Sequence, residues 1–79
     1  MTKDKAYIEA FARNLRYLRH EREMTLRELS EALGIGKSTL CDYENAKADP
    51  TLTTLKKIAD YFGKSVDWLV GYTDNHGRW

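Results

Sequence analysis

The stretch TLRELSEALGIGKSTLCDYEN, residues 25–45, decides the reading of this 79-residue chain. It opens on a capping box, Thr25-Leu26-Arg27-Glu28. The Thr25 hydroxyl is placed to accept from the third helical amide while Glu28 reaches back to the Thr25 amide. Leu26, Leu29, Ala32 and Leu33 follow at helical spacing and give an inward face. Gly34 stands where a helix leaves through a left-handed residue. The helix over 25–33 is therefore too short to persist alone and depends on its neighbours. A second helix is predicted over 36–45, with only Ile35, Leu40 and part of Tyr43 to give to a core. Lys37, Ser38, Cys41, Asp42 and Asn45 share its other side.

Two short helices across a tight turn, the second with a sparse core side and a hydrogen-bonding outer side, make a helix-turn-helix. The first helix holds the second proud of the surface, so that short polar side chains reach base edges in a major groove. Ser30 is small where the two helices approach, and Leu29, Leu33, Ile35 and Leu40 are expected to fill the angle between them.

The flanking sequence supplies a frame for this pair. Over residues 5–22, Ile8, Phe11, Leu15 and Leu18 recur every three or four residues, with Ala12 widening the stripe. Arg13, Arg16, Arg19 and Arg22 fall between them and make the opposite side basic. Residues 45–50 are a polar loop. Thr51 caps a fourth helix carrying Leu52, Leu55, Ile58, Ala59 and Phe62, which Gly63 ends. Ser65 caps a short helix over 66–70, stopped by Gly71. Tyr61, Phe62, Trp68 and Leu69 are expected in the core. Val66, Val70, Tyr72 and Trp79 suggest an apolar patch that marks a dimer seam. The division expected is one domain over 1–72 and a polar tail over 73–79, in which Trp79 is the residue able to dock.

Composition closes off other classes. Hydrophobic residues at 42% and charged residues at 32% are an ordinary globular mix. Thirteen Lys and Arg against twelve Asp and Glu leave +1, so binding by gross cationic charge is excluded. Residues 25–49 hold three basic side chains (Arg27, Lys37, Lys47) and five acidic ones (Glu28, Glu31, Asp42, Glu44, Asp49). Any nucleic-acid site must therefore come from placement. Cys41 has no disulfide partner, and His20 and His76 are too few and too distant to build a metal site. No apolar run is long enough for a membrane span or a signal peptide. The expectation is a cytoplasmic protein with a reduced thiol, no metal, no cofactor and no small-molecule substrate. GIGKST, residues 34–39, looks like the end of a P-loop, but Glu31 stands where the first glycine is required and a helix stands in place of the strand. No nucleophile–base pair or carboxylate dyad points to an enzyme.

Residues 25–45, followed by DPTL (49–52) and SVDWLVG (65–71), resemble the Cro/C1-type (XRE) helix-turn-helix family of phage repressors and bacterial regulators. The likeness runs from about Phe11 to Tyr72. It implies an all-α, five-helix, lambda-repressor-like DNA-binding domain acting as a homodimer on two-fold symmetric double-stranded operators, as a repressor. In that reading Lys37, Ser38 and Asp42 meet base edges and Cys41 lies beside them. Thr25 contacts phosphate, and Gly36, Asn45 and Lys47 sit near the backbone at either end of the recognition helix. Arg19 and Glu44 match a buried ion pair tying helix one to the end of helix three.

This chain departs from the family at three positions. Asp42 replaces a basic residue or glutamine, which suits a cytosine amino group and repels phosphate. Ala46 replaces glycine, so the left-handed exit is expected to move to Asn45. Gly36 leaves the recognition helix without a side-chain cap, its amides free for a phosphate. Two other readings stay open: an antitoxin-like protein-interaction module, and the DNA-binding half of a longer regulator.

Overall fold

The computed structural model describes residues 2–72, side chains from Lys5 onward; the expected tail over 73–79, with the docking of Trp79, lies outside them. Five helices follow in order: α1 (Thr2–Glu21), α2 (Leu26–Leu33), α3 (Lys37–Glu44), α4 (Leu52–Phe62) and α5 (Val66–Leu69). Among the described residues there is no strand, and no helix is long and apolar enough to cross a membrane.

One core joins all five. Phe11, Leu15 and Leu18 of α1 pack with Leu29 and Leu33 of α2, Leu40 and Tyr43 of α3, Ile58, Ala59 and Phe62 of α4, and Leu69 of α5. Phe11 and Tyr43 meet edge to face, ring centres 5.4 Å apart. The Asn14 side-chain amide donates to the Trp68 and Leu69 carbonyls at 3.0 and 3.1 Å, occupying the open end of α5 from α1. Gly71 is forced there: its φ is +76°, and an added Cβ would lie 2.8 Å from the Ala10 Cβ.

Several expected core positions are on the surface. Ala32 and Leu52 are exposed, Leu52 by 73%. Each falls at the edge of its helix's apolar stripe, where no neighbouring element covers it. Tyr61 is also exposed, and Trp68 is half-buried between the Tyr17 ring at 6.5 Å and the Lys64 ammonium at 4.8 Å.

The helix exits share a geometry that the glycines only partly announce. After α1, the Glu23 amide donates to the His20 carbonyl (2.9 Å) and the Met24 amide to the Arg19 carbonyl (3.1 Å), with Glu23 at φ 55°. After α3, the Ala46 amide donates to Tyr43 (3.2 Å) and the Lys47 amide to Asp42 (2.8 Å), with Ala46 at φ 59°. Both are Schellman closures on non-glycine residues. The expected transfer of the left-handed conformation to Asn45 does not occur: Asn45 has φ −101°. The two crossed bonds require the positive φ one residue later, and register overrides residue preference.

Candidate nucleic-acid interface

The capping box of α2 is complete. The Thr25 hydroxyl accepts from the Glu28 amide at 3.0 Å, and the Glu28 carboxylate accepts from the Thr25 amide at 2.9 Å. This fixes where α2 begins. Its far end is fixed by Gly34 in the left-handed region and by Ser30, whose hydroxyl donates to the Ile35 carbonyl at 2.6 Å. Ser30 is thus more than a small residue at a close approach, because it locks the turn that aims α3.

α3 begins at Gly36 with no side-chain cap, as its composition requires. Leu40, Tyr43 and Glu44 face inward and are buried. Lys37, Ser38 and Asp42 are exposed and Cys41 is half-buried. These four, with Leu26 of α2, line one hollow of about 360 Å³ on the outer side of the helix pair. The other candidate residues lie outside that hollow. Thr25 and Gly36 are exposed at the starts of their helices, Asn45 and Lys47 at the exit of α3. The Asn45 side chain turns back on its own helix, donating to the Cys41 carbonyl at 2.9 Å and contacting Cys41 Sγ at 3.4 Å.

The far end of α3 is clamped from α1. Arg19 Nε donates to Glu44 Oε2 at 2.7 Å and Nη2 to Oε1 at 2.8 Å, a two-point pair, while Nη1 donates to the Met24 carbonyl at 2.8 Å. Glu44 is 5% exposed. Its hydrogen bonds raise the Arg19 pKa further above its ordinary value, with the opposite charge adding to this and partial burial opposing it. The guanidinium is therefore locked in its charged form.

A second arginine takes part that the sequence pattern had assigned to the solvent side. Arg16 Nη2 donates to the Glu44 backbone carbonyl at 2.6 Å. That carbonyl is one of the last in α3 and has no acceptor role left inside the helix, so a cation there is doubly favourable. The available signal was spacing: Arg16 lies three residues before Arg19, on the same flank of α1. Arg22 is likewise engaged, its guanidinium 5.3 Å from the Tyr61 ring centre and 5.0 Å from that of Phe62. Arg13 is exposed and makes no hydrogen bond or ion pair among the described residues.

A short uncapped helix is thus held at both ends, with a polar face turned outward. The same architecture is found in known proteins. The sequence pattern of the helix-turn-helix family HTH_3 matches residues 15–69. The chain is similar to the cryptic phage CTXphi transcriptional repressor RstR of Vibrio cholerae, 32% identical over 66 residues, covering 84% of this chain and 60% of that protein. It is also similar to the uncharacterized HTH-type transcriptional regulator YobD of Bacillus subtilis (strain 168), 35% identical over 65 residues, covering 82% and 58%. The chain spans about three fifths of the length of these two relatives. The crystal structure of an HTH_3 family transcriptional regulator from Vibrio cholerae superposes with a TM-score of 0.76 at 28% identity, covering 86% of this chain and 38% of that one. With the family pattern running from inside α1 to the end of α5, this chain belongs to the HTH_3, Cro/C1-type helix-turn-helix family.

Proposed function

We propose that this protein is a cytoplasmic DNA-binding transcriptional regulator, a repressor, that reads double-stranded DNA as a homodimer. The observation that carries this reading is the outer face of α3. Lys37, Ser38 and Asp42 stand exposed on a helix whose inner face is spent on the core. Lys37 and Ser38 carry donors and Asp42 an acceptor, the groups that base edges require. Thr25, the uncapped start at Gly36, Asn45 and Lys47 flank that face and supply backbone contacts. Relatives whose names identify them as a transcriptional repressor and a transcriptional regulator support the regulatory role.

The seam of the dimer is the face where α5 meets the start of α1. A hollow of about 310 Å³ lies there, walled by Tyr7, Phe11, Pro50, Val70 and Tyr72 among others. Tyr72 is 65% exposed and Tyr7 is exposed beside it. A second copy covers this apolar surface and places the two α3 helices on half-sites about 34 Å apart, one duplex turn.

Selection from a random duplex library at physiological salt tests the reading. A two-fold symmetric motif with half-sites one turn apart is the expected result. Recovery of no motif would mean that the helix-turn-helix is scaffold only, leaving an antitoxin-like role with a protein partner.

A further inference from the structure

We infer that Asp42 reads a cytosine, and that Leu26 and Cys41 hold the C5 edge of the same base, so that the site favours 5-methylcytosine. This rests on the proposed reading of α3 as the recognition helix. It adds which base the hollow takes and why.

Asp42 is exposed, and its carboxylate makes no hydrogen bond or ion pair among the described residues. Its backbone carbonyl closes the end of α3, receiving the Asn45 amide at 3.3 Å and the Lys47 amide at 2.8 Å, which leaves the side chain free of any structural task. An ionised carboxylate only accepts hydrogen bonds. It is repelled by phosphate, whereas at a base edge it can accept from an amino group. In the major groove guanine presents two acceptors and thymine one, and adenine sets its N7 acceptor beside its amino group. Cytosine alone offers an amino group with no acceptor next to it on its own edge.

What stands next to that amino group on cytosine is the apolar C5–H. The hollow repeats this order in protein atoms. Beside Asp42 lie Cys41 and Leu26, both half-buried, in the same concavity. The Cys41 sulfur accepts from the Asn45 amide at 3.4 Å, and because a thiol is only a weak donor the residue acts chiefly as a small apolar body. An acceptor beside an apolar wall fits the 4-amino, 5-carbon edge of a cytosine, and a methyl at C5 adds buried apolar surface without disturbing the amino group. Lys37 and Ser38 also line the hollow, Lys37 five positions earlier and about 7.5 Å along the helix axis, so its ammonium group is separated from the Asp42 carboxylate.

The test uses the duplex obtained by selection, with three changes at each cytosine of the half-site: to thymine, to adenine and to 5-methylcytosine. Wild type is expected to lose roughly ten-fold or more on the thymine and adenine duplexes at one position. At that position 5-methylcytosine is expected to bind about four-fold more tightly, the effect of burying one methyl group. Asp42→Asn should transfer the preference there from cytosine to adenine, because an amide pairs with adenine through both its donor and its acceptor. Its thermal melt, compared with wild type, checks that the exposed substitution leaves the fold intact, and the methylated duplex needs no variant at all. A motif whose cytosines are indifferent to residue 42, or a methyl group that weakens binding at the Asp42-dependent position, overturns the inference and leaves the DNA-binding reading standing. A library that returns no motif overturns both.

Discussion

Arg19 and Glu44, 25 residues apart, form a two-point ion pair at 2.7 and 2.8 Å that joins the end of α1 to the last turn of α3. Glu44 is buried, and the Arg19 side chain is 15% exposed. Removing such charges from water costs several kcal/mol each, which their attraction offsets only when geometry is good and the remaining donors are satisfied. Here Arg19 also reaches the Met24 carbonyl, and Arg16 satisfies the Glu44 backbone. The pair sets the direction of α3 more than it adds stability.

Glu44→Ala leaves Arg19 without its carboxylate in a largely buried site. The expected cost is roughly 3–5 kcal/mol, enough to leave a domain of this size largely unfolded. Thermal denaturation followed by circular dichroism checks this. A melting temperature within a few degrees of wild type would refute the structural role of the pair.

Ala46 at φ 59° is a strained residue with a simple remedy. A left-handed conformation costs a residue with a Cβ roughly 1–2 kcal/mol, part of which glycine returns through its freer unfolded chain. Ala46→Gly is expected to stabilise by about 1 kcal/mol, a rise in Tm of about 4–8 °C for a domain this small. An unchanged or lowered Tm would mean that the exit of α3 is relaxed as it stands.

Gly71→Ala makes the opposite case. It places a Cβ 2.8 Å from the Ala10 Cβ on a backbone already at φ +76°. The expected destabilisation is about 1–3 kcal/mol, as for overpacking in a close helix contact, to which the positive φ adds. Chemical denaturation decides the matter: a midpoint equal to wild type would show that α1 and α5 separate without cost.

Lys37→Ala should weaken binding to the selected site by roughly 1–3 kcal/mol while leaving non-specific affinity unchanged. A uniform loss on all sequences, with the salt slope reduced by about 1, would reassign Lys37 to phosphate. With a net charge of +1 and a helix-turn-helix richer in acid than base, wild-type affinity should fall with salt less steeply than that of a strongly cationic repressor. Titrations at several salt concentrations measure both.

The sequence by itself determined the element order. Caps and apolar periods act within one helical turn, so Thr25-Leu26-Arg27-Glu28, Thr51, Ser65 and the glycines at 34 and 63 located the helices without knowledge of their neighbours. The outer face of α3 was legible for the same reason: once Leu40 and Tyr43 point inward, the helical repeat leaves Lys37, Ser38, Cys41 and Asp42 on the other side. The tertiary structure alone decided what the arginines of α1 do. Arg16 and Arg22 look alike in a basic stripe, yet one closes the end of α3 and the other lies over the Tyr61 and Phe62 rings, because residues 28 and about 40 positions away arrive beside them. It also decided that Ala46 and not Asn45 carries the left-handed turn, that Ala32 and Leu52 face solvent, and that Leu26 completes the hollow at α3. Local rules choose among conformations of a few residues. Which side chain is covered, and what covers it, depends on elements packed from elsewhere in the chain.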